Sequence, residues 1–258
     1  MYATLFVLGF RRWSAYGLAT FGAAFTNCVF GLIRSAVMIA VVGTAGGTLA
    51  GYDRATTATY VWLGQALIGP VMLFTWTELA QRIRSGDIAV DLARPVDPML
   101  SYLAADLGRA AFSVLPRGIP PLLAGLLITG LTLPHTAAPY ALGAVSVAIA
   151  CALSFACRWL VNLSAFWLLD LRGPMTLYLV LSGVLCGLVV PVRWFPHWLA
   201  VVAAATPFPS LLQAPIDVLT GKAGLSTVLT QALWLLGLLG LGRAVFALGT
   251  RKLVVQGG

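Results

Sequence analysis

The sequence predicts an all-α membrane protein with six transmembrane helices. The chain of 258 residues is 60% hydrophobic and 9% charged, whereas soluble domains average about 45–50% apolar and about 25% charged residues. Its mean hydropathy of +0.93 places most of the chain in a medium other than water. The apolar residues fall into six runs, and a helix needs about 20 of them to cross a bilayer. We therefore expect a single transmembrane domain over residues 1–258.

The first predicted element is an amphipathic helix over 2–16. Aromatic residues recur three and four apart on one side, and Arg11 and Arg12 lie on the other, as in a helix that rests in the membrane interface. The six predicted spans follow at about 18–42, 57–80, 110–133, 139–168, 175–192 and 226–248. Gly173-Pro174 is expected to break the chain between spans four and five. Segment 193–222 contains four prolines and is predicted to form short external helices.

The basic residues predict the orientation of the chain. If both termini are cytoplasmic, the inner segments carry nine arginines and lysines and the outer segments only three. Arginine and lysine are enriched in cytoplasmic loops, so we expect both termini inside. The net charge of +8 does not indicate a nucleic-acid-binding protein, because the basic residues lie in the gaps between apolar runs. A nucleic-acid site would cluster them on one face.

The most strongly charged segment is the loop 82–108 between spans two and three. Asp87, Asp91 and Arg94 are four and three residues apart, so a helix over about 87–94 would present them as one charged stripe. Arg94-Pro95 should end that helix. A short helix of this kind can dock into a groove on a cytoplasmic partner. A solvated loop tethered at the headgroups is the alternative, and these residues alone leave both interpretations open.

The order of these elements resembles the membrane subunit of an ABC transporter of the ABC-2 superfamily, in the viologen-exporter-like subgroup. The resemblance covers essentially the whole chain and implies a fold like that of type V ABC exporters. It rests on three local patterns: Tyr16 with Thr26-Asn27 and Phe30-Gly31; Gly86-Asp87 through Leu92-Ala93-Arg94-Pro95; and Trp194-Phe195-Pro196-x-Trp198-Leu199 leading to Pro207-Phe208.

The resemblance implies that loop 82–108 holds a coupling helix that contacts an ATPase subunit. The residues assigned to that contact are Asp87, Asp91, Leu92, Arg94 and Pro95. ATP and Mg are expected on the partner ATPase, so this chain is expected to be neither an enzyme nor a cofactor-binding protein. It contains no Gly-x-x-x-x-Gly-Lys-Ser/Thr phosphate loop. The implied complex has two permease subunits, identical or different, and two ATPases, in the plasma membrane of a bacterium.

The resemblance further implies export, by alternating access, of an amphipathic or cationic small molecule or a lipid-like substrate. Aromatic faces bind organic cations. Candidates for the substrate path or the permease interface are Phe21, Phe25, Asn27, Phe30, Arg34 and Tyr178. Arg34 lies deep in span one, where a structural pair and a substrate contact are both open. An external group is interpreted as a membrane anchor, an exit gate or both: Trp194, Phe195, Trp198 and Phe208.

Two other functional classes are weighed against this interpretation. A secondary transporter driven by an ion gradient is the main alternative, but it needs buried acids at mid-membrane, and the predicted spans contain none well inside them. An intramembrane enzyme would need catalytic groups within the spans, whereas His135 and His197 fall in outer loops. The four cysteines lie within apolar runs without Cys-x-x-Cys spacing, so neither a metal site nor a disulfide is expected.

Overall fold

The computed structural model describes residues 1–15, 17–73 and 76–252, and within these ranges it contains helices and no strand. The π-helical turn Val114–Gly118 joins α6 to α7, and 3₁₀ turns occur at Ser164–Phe166, Val192–Trp194 and Phe208–Ser210. Tyr16, at the end of the predicted interfacial helix, lies outside the described residues. The α-helices are α1 Tyr2–Ser14, α2 Gly17–Thr44, α3 Arg54–Val71, α4 Glu78–Ser85, α5 Ile88–Leu92, α6 Pro98–Ser113, α7 Ile119–Ile128, α8 Ala138–Leu163, α9 Arg172–Leu185, α10 His197–Ala204, α11 Gln213–Leu219 and α12 Leu225–Thr250.

Four helical stretches in the described part of the chain are long and apolar enough to cross a bilayer: Thr20–Thr44, Pro98–Ile128, Ala138–Phe166 and Leu225–Thr250. They correspond to the predicted spans one, three, four and six. α3 has 18 residues and α9 has 14, so they reach about 27 Å and about 21 Å. Both are shorter than the hydrocarbon core of about 30 Å. A complete crossing by spans two and five stays a prediction.

The predicted span two, 57–80, is divided in the structure. α3 ends at Val71, because Pro70 weakens its last turn and Met72 adopts a left-handed conformation with φ 53°. A separate helix, α4, begins at Glu78, whose carboxylate lies in the first turn, where the helix dipole favours it. The apolar pattern runs through this break, so hydropathy did not reveal it.

The helix of predicted span three begins earlier than the expected residue 110. Asp97 caps α6 by accepting a hydrogen bond from the Leu100 N–H at 3.0 Å, and Pro98 occupies the first turn. Residues 98–108, predicted as part of the loop, are therefore helical. The helix continues through the π turn around Pro116, which lacks an N–H to donate, and ends at Ile128.

The expected chain break at Gly173-Pro174 is wrong. Both residues lie in the first turn of α9, where a proline is tolerated because its missing N–H would have no partner within the helix. The break falls earlier, at 167–171. α9 ends at Leu185, well before the predicted residue 192, and Gly187 turns the chain with φ 87°.

The N-terminal helix α1 packs on α6 through two glycines. A Cβ atom on Gly9 would collide with the carbonyl of Ala105, and one on Gly108 would collide with the carbonyl of Phe6. Small residues let two helix backbones approach this closely. The rings of Phe10 and Phe112 meet edge to face at 5.4 Å. α1 is therefore attached to the helical bundle along α6.

Two clusters of buried apolar side chains hold the helices together. One surrounds α3, α8 and α11 and includes Tyr60, Leu153 and Ile216. The other joins α4 and α5 to α6 and α8, with Leu79 and Ile88 completely buried. This second cluster fixes the segment between α3 and α6 against the bundle.

Candidate functional site

The segment formed by α4, α5 and the turn to residue 97, here called the coupling segment, is organised around Asp91. The Asp91 carboxylate accepts hydrogen bonds from Arg82 Nε at 2.7 Å, Arg82 Nη2 at 3.0 Å and the Tyr102 hydroxyl at 3.0 Å. The hydrogen bond to Asp91 raises the pKa of the Arg82 guanidinium above the ordinary value for arginine. Asp91 is only 8% exposed. The sequence predicts that Asp91 contacts the ATPase as part of the charged stripe, whereas the structure places its carboxylate inside the segment.

The outward surface of the coupling segment contains the other four predicted contact residues. Asp87, Leu92, Arg94 and Pro95 are exposed. Gly86, with φ 82°, turns the chain between α4 and α5, and the Ser85 hydroxyl donates to the Asp87 carboxylate at 2.7 Å. Val90 is 55% exposed beside them. The surface thus combines apolar contact area with charges of both signs.

A row of polar side chains on α8 holds the connection between α3 and α4. Ser154, Arg158 and Asn162 are four residues apart, share one face of the helix and are almost completely buried. The Ser154 hydroxyl donates to the Met72 carbonyl at 3.2 Å, and Arg158 Nη1 lies 3.4 Å from Met72 Sδ. Together they hold the left-handed conformation of Met72.

The Asn162 side chain binds backbone groups just before α4 and in its first turn. Its Nδ2 donates to the Trp76 carbonyl at 2.7 Å, and its Oδ1 accepts from the Ala80 N–H at 3.0 Å. The coupling segment is therefore connected to α8 by hydrogen bonds to its backbone. Arg12 of α1 forms a second connection, an ion pair with Glu78 at 3.3 Å.

A buried ion cluster lies beside the break in predicted span two. Asp106 pairs with Arg109 at 2.7 Å and with Arg158 at 2.8 Å. Arg109 also donates to the carbonyls of Gly69 and Pro70, each at 3.0 Å, so its positive charge lies at the negative end of α3. The expectation that no acid lies well inside a span is wrong, because Asp106 and Arg109 belong to α6 and not to the loop. The Asp97 cap, which starts α6 early, was the missed signal.

A groove of about 730 Å³ lies between α2, α3 and residues 188–190. Three of the predicted path residues line it: Asn27, Phe30 and Arg34. Arg34 Nη2 donates to the backbone carbonyls of Leu188 and Val189, and Asn27 Nδ2 donates to the Gln65 carbonyl at 3.3 Å. Arg34 thus joins α2 to the chain that follows α9.

The other predicted path residues do not line this groove. Phe21 and Phe25 are 76% and 72% exposed on the free face of α2. Tyr178 is buried, with its ring 6.2 Å from that of Phe208. Of the six residues assigned to the substrate path or the permease interface, three therefore line the groove and three do not.

The four external aromatic residues also separate. The Trp194 ring lies 6.0 Å from that of Tyr52, and Phe208 packs against the buried Tyr178. Phe195 is half-buried, while Trp198 is 67% exposed. Trp194 and Phe208 are partly buried and pack against the core, so of the four Trp198 has most of the free surface expected of a membrane anchor.

A polar network beneath these residues was missed. Gln213 Nε2 donates to Asp217 at 3.0 Å, and Arg193 pairs with the same carboxylate at 3.2 Å. The Tyr60 hydroxyl lies 2.8 Å from Gln213 Oε1 and from the Gly187 carbonyl. The pKa of Tyr52 is raised to about 12, first by burial and second by the negative charge of Asp217. The available signal was Gln213 and Asp217, polar residues four apart in a mostly apolar segment.

The described residues contain no group of three or more His, Cys, Asp or Glu side chains that could hold a metal ion. A family model described as "ABC-2 family transporter protein" matches residues 30–257. The match begins within α2 and includes the coupling segment and all residues of the groove except Thr26 and Asn27. No curated protein and no solved structure matches the chain.

Proposed function

This chain belongs to the ABC-2 family of transporter proteins, and we propose that it is the permease subunit of an exporter driven by ATP hydrolysis on a separate subunit. Membership makes it the membrane component of an ABC transporter, associated with an ABC ATPase. Export, the viologen-exporter-like subgroup and the assembly of two permeases with two ATPases are parts of the proposal. The transported molecule in this proposal is amphipathic or lipid-like.

The observation that carries the proposal is the construction of the coupling segment. Its inner side is fixed by Asp91 and by the buried Ile88, while its outer side exposes Val90, Leu92 and Arg94. A short helix fixed in this way can transmit a displacement imposed by a partner, whereas a solvated loop would deform instead. We therefore assign the ATPase contact to Asp87, Leu92, Arg94 and Pro95, with Val90 added and Asp91 as their internal support.

The contacts of the coupling segment suggest how motion would spread. ATP binding would close the ATPase subunits and displace α5. α4 would carry the displacement to α8 through Asn162 and to α1 through Arg12 and Glu78. Movement of α8 and of the end of α3 would then close the groove beside α2 on its inner side, as alternating access requires.

The exposed surfaces suggest two further roles. Phe21 and Phe25 form an unpartnered aromatic face on α2, which we assign to the contact with the second permease subunit, identical or different. Trp194, Phe195, Trp198 and Phe208 lie on the segment that we propose as the external gate. Trp194 would move with Tyr52, and Trp198 would hold the segment at the outer headgroups.

One observation bears on the alternative of a secondary transporter, the buried acid Asp106. Such a transporter needs a carboxylate that is free to take up an ion or a proton. Asp106 is paired with two arginines, and those arginines also bind helix backbone and side chains of α3 and α8. Its surroundings favour a fixed structural charge, so we do not propose ion coupling.

The proposal is tested by purifying the tagged chain from its native membrane in gentle detergent and identifying the bound proteins by mass spectrometry. An ATP-binding subunit is expected to co-purify. Arg94→Glu reverses a charge on the assigned contact and should reduce its recovery about tenfold, the effect of losing one strong interfacial charge contact.

Arg54→Glu is the matched control. Arg54 is also exposed, but it lies at the opposite end of α3, where an acid suits the start of the helix. It should leave recovery unchanged. A stable chain without an ATPase in several detergents would contradict the proposed function, and equal recovery with Arg94→Glu would remove the assigned contact.

A further inference from the structure

The groove beside α2 has an almost entirely apolar wall with one charge. Ile33, Val37, Val41 and Ile68 form much of its surface. Among the described residues that line it, Arg34 is the only one with a formal charge. Its volume of about 730 Å³ lies in the range of pockets that bind drug-sized molecules.

Arg34 is not neutralised within the described part of the chain. None of the ion pairs there includes it. Its Nη2 is used by the carbonyls of Leu188 and Val189, which carry no formal charge. Nη1 is buried and has no hydrogen-bond partner. A buried donor without an acceptor, on a side chain that keeps its charge, is unfavourable unless a ligand supplies the acceptor.

We propose that the groove binds a single-chain amphipathic carboxylate, with its apolar body along α2 and α3 and its carboxylate on Arg34. This inference rests on the proposed function, since it names the substrate class of the permease. A planar guanidinium matches a carboxylate in shape and charge. The groove has the volume of a drug-sized ligand, which favours one apolar chain over the two of a phospholipid.

The same geometry disfavours the cationic substrate that the family resemblance suggested. Phe30 and Trp194 offer ring faces in the groove, and such faces attract cations. However, a cation there would lie beside the uncompensated charge of Arg34, and none of the described residues that line the groove has a carboxylate to offset the repulsion. The aromatic rings therefore serve as apolar surface for the body of the ligand.

The test uses photo-crosslinking of the purified full-length chain, without added ATP. Three diazirine probes share one alkyl chain and differ in the head group: a carboxylate, a primary amide and a trimethylammonium. The carboxylate should label peptides covering 26–41 and 188–194 at least about tenfold more than the ammonium, the factor expected for one charge-assisted hydrogen bond. Equal or stronger labelling by the ammonium or the amide would overturn the inference.

Variants separate the charge of Arg34 from its structural contacts. Arg34→Gln should remove the preference for the carboxylate, and Arg34→Lys, which keeps the charge, should retain most of it. Arg117→Gln is the matched control, because Arg117 is another arginine of an apolar helix but does not line the groove. An unchanged preference in Arg34→Gln would contradict the assigned role.

Val37→Glu covers the case in which Arg34→Gln does not fold. It places an acid one turn from Arg34 and leaves the contacts with Leu188 and Val189 intact, so the preference should vanish or reverse. A diazirine phosphatidic acid is the last probe, and labelling equal to that of the carboxylate would overturn the assignment to a single-chain ligand.

The outcomes distinguish this inference from the proposed function. If no ATPase co-purifies but the carboxylate preference depends on Arg34, the transport proposal fails and the binding site stands. If an ATPase co-purifies but the probes label equally, the permease stands and the substrate class fails.

Discussion

At the scale of single residues, the same charge pattern contains groups with opposite roles. Asp87, Asp91 and Arg94 have the spacing of one helical stripe, yet only Asp87 and Arg94 face outward. Asp91 turns inward because Arg82 and Tyr102 together supply three hydrogen bonds to its carboxylate. The spacing showed which residues could share a helix face but could not show which of them points inward.

This distinction predicts different consequences for two aspartates of the coupling segment. Asp91→Ala removes the acceptor that Arg82 and Tyr102 share, although Arg82 keeps its hydrogen bond to the Asp87 carbonyl. It should destabilise the segment by about 1–3 kcal/mol, since Arg82 is also partly able to turn to water. Asp87→Ala, on the exposed side, should change stability by less than about 0.5 kcal/mol. Limited trypsin digestion after Arg82 and Arg84 measures the opening of the segment. Equal digestion of the two variants would show that Asp91 does not support it.

At the scale of helices, boundaries follow from caps and breaks that hydropathy does not record. Asp97 and Pro98 start α6 in a region of mixed polarity, and Met72 ends α3 within an apolar one. The partners of the break are on α8 and α6, far away in sequence. Ser154, Arg158 and Asn162 on one buried face of α8 bind the backbone and the Met72 side chain exposed by the break. Arg109 of α6 binds the last carbonyls of α3, and together these contacts make the interruption tolerable.

The packing of α1 on α6 leads to a prediction about glycine. Gly108→Ala places a Cβ on the Phe6 carbonyl and must displace α1, at a cost of about 1–3 kcal/mol. Gly240→Ala is the matched control in α12, since nothing lies within 4 Å of a Cβ there. That change should be neutral or stabilising by up to about 1 kcal/mol, the difference in helix propensity. Thermal unfolding in detergent compares the two, and an equal response would contradict the close packing of α1.

At the scale of the whole molecule, the orientation inferred from basic residues predicts opposite sides for two exposed positions. Val90, 55% exposed on the coupling segment, should be cytoplasmic, and Trp198, 67% exposed on α10, should be external. A membrane-impermeant maleimide should label Trp198→Cys only in right-side-out vesicles and Val90→Cys only in inverted vesicles. The parent chain is the control for its four native cysteines, three of them buried. Labelling of both positions from one side would contradict the topology.

The sequence by itself determined the membrane class, four long apolar helices and the family. These depend on quantities that add up along the chain: hydropathy over about 20 residues, the distribution of basic side chains, and short ordered patterns. A long helix such as α8 or α12 therefore appears close to its predicted bounds.

Only the tertiary structure decided which polar groups meet. The partners in these contacts are tens of residues or more apart in the sequence: Asp106 and Arg158, Asn162 and α4, and Arg34 and the carbonyls after α9. Each pairing depends on which helix faces pack together, and that choice is made by shape and by the need to satisfy polar groups away from water. The same physical cause leaves Arg34 without a counter-charge among the described residues of the groove, a property that its position in span one could not reveal.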